Sequence, residues 1–239
     1  MREINLETWD PTGKKVLLYS GGMDSWLIDK IWKPDIKLFI DINTNSSNAE
    51  LEHLPKDVVV THLRDLGKLE RKSDFILPLR NAYLILMATN YGDDICLGAN
   101  ATDATLDKTY EFAEKFTDLL NYMYGEQKWT KERKLKVTVD FREFTKPQLL
   151  ALYIQKGGDP YIAYKETFSC FTPIDKHEEC HNCRACFLKF MAFEDCGVDM
   201  SKYVADYVPY IKEKLNDKNY QDRIYSKDKY EGVLRKYGY

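Results

Sequence analysis

The chain has 239 residues, 44% hydrophobic and 31% charged, with 12 Gly and 8 Pro, a balance that fits an ordinary globular protein and excludes fibrous and disordered classes. Lys and Arg sum to 35 against 38 Asp and Glu, so the formal charge of -3 disfavours a basic protein that coats nucleic acid, although a local basic groove stays open. No apolar run approaches the roughly 20 residues that span a bilayer and residues 1–15 carry no apolar leader core, so no membrane partner is expected and the protein reads as cytoplasmic.

Taken in chain order, residues 15–20 (KVLLYS) form a nearly continuous apolar run ending at Gly21-Gly22, which predicts a strand buried on both faces. Residues 24–32 place Trp26, Leu27, Ile28, Ile31 and Trp32 on a helical stripe that Lys33-Pro34 stops. Residues 37–42 (KLFIDI) and 57–61 (DVVVT) read as the next strands, with a short helix at 49–54 between them. A helix over 81–90, a strand at 94–97, a helix over 110–122 and a strand at 135–139 follow. Thr145 is positioned to cap a helix that runs to Gln155 and stops at Gly157-Gly158. Alternation of this kind predicts an α/β fold with a doubly wound parallel sheet, whose ligands bind outside the carboxyl ends of the strands.

The segment Ser20-Gly-Gly-Met-Asp-Ser25 falls where the first strand hands over to the first helix. Two glycines permit a tight turn and a close backbone approach, the helix start adds a positive dipole end, and two serines add hydroxyls. Such a turn can cradle phosphate, and Asp24 among the donors fits a Mg²⁺ carried by a triphosphate. It lacks the Gly-Lys-Ser/Thr ending of a Walker loop and the three glycines of the dinucleotide fingerprint. The segment resembles the SGGxDS loop of the PP-loop ATP pyrophosphatases, a superfamily that cleaves ATP between the α and β phosphates and adenylates a carbonyl or carboxylate oxygen.

Four of the six cysteines, Cys170, Cys180, Cys183 and Cys186, lie within 17 residues in the spacing C-x9-C-x2-C-x2-C. Four thiolates saturate a tetrahedral Zn²⁺ and leave no position for water, which makes a structural site; an iron–sulfur cluster takes the same number of ligands. His181 and His177 stand beside the cluster and read as loop residues.

Together the loop and the cysteines resemble the 7-cyano-7-deazaguanine synthase family of the queuosine precursor pathway, over about residues 14–200. Pro78-Leu-Arg-Asn81 is similar to the family's P-x-R-N, and Gly98-Ala-Asn-Ala-Thr-Asp103 to its G-x-N-x-x-D. Asp107 with Glu111-Phe112 is similar to its D-C-R-P-E-F, Thr145-Lys146 to its T-K and Thr167-Phe-Ser-Cys170 to its T-W-S-C, while Phe193 and Gly197 follow the cysteines as they do there. The resemblance implies an ATP-dependent ligase that converts 7-carboxy-7-deazaguanine and ammonia to the nitrile through adenylated intermediates, releasing AMP and pyrophosphate, often as a homodimer.

Carried onto this chain, the resemblance implies ATP contacts at Tyr19, Ser20, Gly21, Gly22, Met23, Asp24, Ser25 and Gly98. Asp24, Arg80, Asp103 and Lys146 are the expected catalytic residues. Asn81, Asp103, Asp107 and Glu111 are the expected substrate contacts, with Asp103 and Asp107 able to orient the guanine-like amine or to bind Mg²⁺. The expected organisation is an ATP-binding domain over 1–160, a four-cysteine zinc subdomain of helical character over 161–200 and a Tyr-rich tail over 201–239.

The chain also departs from the family. Only Ala-Thr-Leu separates Asp103 from Asp107 where the family has a longer stretch, Lys108-Thr109 replaces Cys-Arg, Asn43–Asn48 replaces Y-G-Q-x-H, and His181 replaces a glycine. The altered base loop keeps two alternatives open: transfer of an adenylated deazaguanine carboxylate to another amine, for example on a protein, and a tRNA-modifying PP-loop enzyme. A thiolating enzyme commonly needs a cysteine outside the metal site, which leaves Cys96 and Cys196. The tyrosines of the tail, interleaved with Lys and Arg, could stack on bases or pack as an amphipathic tail.

Overall fold

A computed structural model of the chain describes residues 2–74, 76–103, 105–128, 131–170 and 178–239. These fall into two units, Met1–Thr145 and Lys146–Tyr239. In the first unit the apolar runs form β1 (Lys15–Leu18), β2 (Ile36–Asp41), β3 (Val59–His62), β4 (Asp94–Cys96) and β5 (Lys136–Thr138). They make one sheet in the order β3-β2-β1-β4-β5 with every neighbouring pair parallel. The expected α/β fold is therefore present, with a five-stranded parallel sheet at its centre. Val16 of β1 pairs with Ile36 and with Ile95, and all three are buried, as befits a central strand covered on both faces.

The crossovers are α1 (Met23–Trp32), α2 (Asn45–Glu52), α3 (Arg80–Ala88) and α4 (Tyr110–Met123), with 3-10 turns at Arg64–Leu69 and Leu106–Lys108. Helix α1 ends where Lys33 adopts φ 53° before Pro34, which cannot continue the helix. Helix α2 starts four residues earlier than its apolar pattern indicates. The Thr44 side chain accepts from the Ser47 N–H at 3.3 Å and the Thr44 N–H donates to Ser47 Oγ at 2.8 Å, so a reciprocal cap turns a polar Asn/Ser stretch into helix.

Behind β4, Arg133 donates to Asp93 Oδ1 through Nη2 at 2.5 Å and Nε at 3.0 Å, and to the Thr89 carbonyl at 2.9 Å. Asp93 Oδ2 accepts in turn from the Gly13 N–H at 2.8 Å, so one ion pair ties the lead-in to β1, the end of α3 and the start of β4.

The second unit comprises α5 (Lys146–Gln155), α6 (Pro160–Glu166), α7 (Arg184–Asp195), α8 (Val204–Asn216) and α9 (Lys227–Tyr237). Helix α5 follows Thr145 as expected, and the chain turns beyond it at Gly157 with φ 87°. The cysteine segment and the Tyr-rich tail belong to this same unit. Phe187 of α7 packs on Tyr210 and Tyr230 with ring centroids 5.0 and 4.7 Å apart, and Phe190 stacks on Tyr207 at 4.5 Å. The hydroxyls of Tyr220 and Tyr230 donate to Asp222 at 3.0 and 3.2 Å. Tyr207, Tyr210 and Tyr230 are buried core residues, so their faces are not available for stacking on bases. Among the described residues no helix is long and apolar enough to cross a membrane.

Because Arg133 and Asp93 are both largely shielded from water, Arg133→Met should destabilise the protein by about 2–3 kcal/mol in urea melts, the cost of stranding a partly buried carboxylate. Arg71→Met, which breaks an exposed pair with Asp74, should leave the midpoint where it is.

Candidate active site

Strand order reverses across β1, with β2 on one side and β4 on the other, so the loops after β1 and β4 open a crevice at the carboxyl edge of the sheet. A cleft of about 280 Å³ lies there, lined from the first loop by Tyr19, Ser20, Gly22, Asp24 and Ser25 and from the second by Gly98 and Asp103. Arg80 and Asn81 of α3, Lys108, and Thr44, Ser47 and Glu50 complete its polar wall.

The turn is built by its glycines and serines. Gly21 adopts φ 77°, a conformation that costs a residue with a Cβ about 1 kcal/mol or more, and Gly22 caps α1. Ser25 Oγ donates to the Gly22 carbonyl at 3.1 Å and accepts from the Ser20 N–H at 3.2 Å, while Ser20 Oγ accepts from the Gly22 N–H at 3.3 Å. Serines thus fix the loop from inside and point the amino end of α1, with its partial positive charge, at the cleft. Asp24 in the first turn accepts from Asn100 Nδ2 at 2.7 Å, which joins the two loops across the switch point. Met23 is buried beneath the turn and serves its packing.

Asp103 accepts from Lys108 Nζ at 2.7 Å and from the Asn100 N–H at 2.9 Å. Asn81, buried at the head of α3, donates to Asp107 at 2.7 Å. Arg80 is exposed and makes no ion pair among the described residues. Glu111 faces solvent on the first turn of α4, where it pairs with Lys115 at 2.6 Å, and does not line the cleft. Lys146 is the first residue of α5 and belongs to the second unit. Ala104 of the shortened loop and His177 lie outside the described residues.

Glu50 is the cleft residue that the sequence reading missed. Burial raises its carboxyl to about 7, against the opposing pull of the Arg80 guanidinium. Its signal in the sequence was faint, one acid on a polar helix next to a strand end.

In the second unit the four sulfurs of Cys170, Cys180, Cys183 and Cys186 lie within 4.8 Å of one another. Tetrahedral zinc with Zn–S bonds of about 2.3 Å needs sulfurs about 3.8 Å apart, so small side-chain rotations suffice. Cys183 caps α7 and Cys186 lies in its first turn, so two of the four sulfurs are placed by one helix start. Cys170 Sγ already accepts from the Cys180 N–H at 3.3 Å, as a metal-bound thiolate does.

Beside the cluster, buried Lys189 donates to Glu179 at 2.9 Å and to the Thr167 carbonyl at 2.6 Å. This second missed residue had a clear signal, a lone charge inside Phe187-Leu-Lys-Phe-Met-Ala-Phe193. The remaining thiols are poor nucleophiles: burial pushes Cys96 and Cys196 above the ordinary thiol range, and Cys196 Sγ donates to the Pro147 carbonyl at 3.0 Å.

His181 adopts φ 51°, the left-handed region that glycine enters freely, and its ring meets the edge of Tyr207 at 5.2 Å. The ring contact offsets the backbone cost. His181→Ala keeps the strain and loses the contact, so it should be less stable than His181→Gly by about 1 kcal/mol in denaturant melts, the reverse of the usual Ala over Gly order.

Comparison with known proteins adds to this geometry. The chain is 25% identical to the 7-cyano-7-deazaguanine synthase of Rickettsia akari (strain Hartford), over 73% of this chain and 74% of the relative. It is 24% identical to that of Rickettsia canadensis (strain McKiel) over the same shares, and 26% identical to that of Rickettsia prowazekii (strain Madrid E) over 54% of this chain and 57% of the relative. The model of the family described as queuosine biosynthesis protein QueC matches residues 33–197, which span the cleft residues after the first loop and all four clustered cysteines, and the chain belongs to that family.

Proposed function

We propose that this protein is an ATP-dependent ligase that converts 7-carboxy-7-deazaguanine and ammonia to 7-cyano-7-deazaguanine. The observation that carries the reading is the meeting of the Ser20–Ser25 loop, Arg80 and Asp103 in one cleft at the switch point of the sheet, in a chain of the QueC family.

A carboxylate does not accept ammonia, because the leaving group would be oxide. Attack of the carboxylate oxygen on the α-phosphorus of ATP releases pyrophosphate and supplies AMP as a good leaving group. Ammonia then displaces AMP to give the amide. The amide oxygen attacks the α-phosphorus of a second ATP and expels pyrophosphate; the nitrogen then gives up both of its protons as AMP leaves with the oxygen, which forms the nitrile. The protein's task is to position the reactants and to meet the charge on the pyrophosphate.

In this reading the Gly21-Gly22 turn and the amino end of α1 hold the departing pyrophosphate, Tyr19 and Gly98 border the nucleotide, and Arg80 answers the phosphate charge. Asp24 offers the hard oxygen donors that Mg²⁺ takes, and bound Mg²⁺ would neutralise the triphosphate. The four thiolates fit Zn²⁺ in a closed structural site, where it would hold the amino end of α7 to the Cys170 segment. The engagement of Cys96 and Cys196 favours this chemistry over sulfur transfer.

Mass spectrometry after incubation with Mg-ATP, ammonium and 7-carboxy-7-deazaguanine should show the nitrile together with AMP and pyrophosphate. Asp24→Ala should lower pyrophosphate release at least roughly 100-fold with the fold intact; amide as the final product, or an Asp24→Ala enzyme with unchanged turnover, would contradict the proposal. For the metal, Cys183→Ser should lose about one equivalent of zinc by elemental analysis and lower the melting temperature. Iron in the purified protein, or unchanged metal content in the variant, would refute the zinc assignment.

A further inference from the structure

Three carboxylates line the cleft, and two of them already accept hydrogen bonds from neighbouring side chains. Asp24 accepts from Asn100 at 2.7 Å, and Asp103 accepts from Lys108 at 2.7 Å and from the Asn100 backbone. Asp107, which the family resemblance offers for the guanine-like amine or for Mg²⁺, accepts from Asn81 at 2.7 Å. Glu50 differs. It stands half-buried in the last turn of α2, in the same cleft lining as the phosphate loop, and its carboxylate makes no hydrogen bond or ion pair among the described residues.

A carboxylate withdrawn from water without donors is costly, and a ligand that brings donors recovers that cost. The components of the proposed reaction differ in what they bring. A 7-deazaguanine presents, along one edge, a ring N–H beside an exocyclic amine, two parallel donors that match the two oxygens of one carboxylate. The adenine of ATP presents an amine beside a ring nitrogen lone pair, which a carboxylate repels. The phosphates and the substrate's own carboxylate are anions and belong with Arg80 and the loop. The shortened loop between Asp103 and Asp107 adds to the case, since its two acids are committed to Lys108 and Asn81 and the base must be read from elsewhere.

We infer that Glu50 is the residue that binds the ring N–H and 2-amino edge of the 7-deazaguanine, and that it selects this base over bases lacking that donor pair. The inference rests on the synthase reading of the same cleft. The raised carboxyl fits it, since the empty site retains a proton to about 7 and a ligand that donates two hydrogen bonds favours the ionised form.

The test is steady-state kinetics of wild type, Glu50→Gln and Glu50→Asp, with 7-carboxy-7-deazaguanine, ATP and ammonium varied separately, and with the analogue that lacks the 2-amino group. Circular dichroism would confirm that each variant is folded. Glu50→Gln should raise KM for 7-carboxy-7-deazaguanine by roughly 10–100-fold while KM for ATP stays within about twofold. Wild type should prefer the natural substrate over the 2-deamino analogue by roughly tenfold or more in kcat/KM, and Glu50→Gln should lose that preference. Should the Gln variant fail to fold, Glu50→Asp, which draws the carboxylate back by one methylene, should show the same selective rise. A rise in KM for ATP alone would place Glu50 on the nucleotide, a change confined to ammonium dependence would make it a proton acceptor for the amine, and unchanged kinetics would deny it any role; each overturns the inference. Wild type that forms no nitrile would instead sink the synthase reading, and this inference with it.

Discussion

Everything proposed for the first unit depends on one constraint, the parallel pairing of β1 with a neighbour on each side that runs the same way. Parallel strands bring all their carboxyl ends to one edge, and reversal of strand order across β1 leaves a gap between the loops there. Into that gap the chain sends its tightest turn, Gly21-Gly22, and the loop from Gly98 to Asp103. The bond from Asn100 to Asp24 then sets the distance between the two loops. The ion pair of Arg133 with Asp93 serves the same edge at one remove, since it anchors the entry to β4.

The charges of the cleft can be followed pair by pair. Lys108 and Asp103 cancel, and Asp24 is held by a neutral amide, so Arg80 is the exposed cation of the lining that no acid of the described chain engages. Glu50 feels that cation but does not reach it. On the proposed reading the anionic phosphates and the neutral donor edge of the base therefore go to different groups, the one to backbone N–H groups and Arg80 and the other to a carboxylate. Such separation suits an enzyme that must bind an adenine nucleotide and a guanine-like base together without exchanging them.

Much of this was legible in the sequence, and the reason is local. The strands are short apolar runs bounded by Gly or Pro, the phosphate turn is contiguous, and the cysteines are spaced for a single ion, so each signal lies within one window. What escaped needed partners distant in the chain. The start of α2 depended on the Thr44–Ser47 cap inside a stretch whose composition reads as loop. Glu111 sits among family-like residues yet turns to solvent and Lys115, because helix phase and not motif membership decides where a side chain points. Glu50 is unremarkable in its own segment and is distinguished only by its place in the cleft lining, within the influence of Arg80. The packed tail was one of two readings that its Lys- and Tyr-rich composition allowed, and the buried rings of Tyr207, Tyr210 and Tyr230, with the hydroxyls gathered on Asp222, decide for packing.

The departures from the family pattern make sense as compensated pairs. His181 stands at a left-handed position where the family carries glycine, and the ring that supports it, Tyr207, comes from α8, beyond the residues that the family model matches. The residue that would be strained alone is tolerated because Tyr207 of α8 receives its side chain. Lys108 follows the same logic in the cleft, where it replaces part of the family's base loop and at once takes up Asp103. That pairing commits Asp103, and on the proposed reading Asp24 serves the triphosphate and its Mg²⁺, so a chain that still binds a guanine-like base needs another carboxylate facing the cleft, and Glu50 is the lining carboxylate that accepts no hydrogen bond among the described residues.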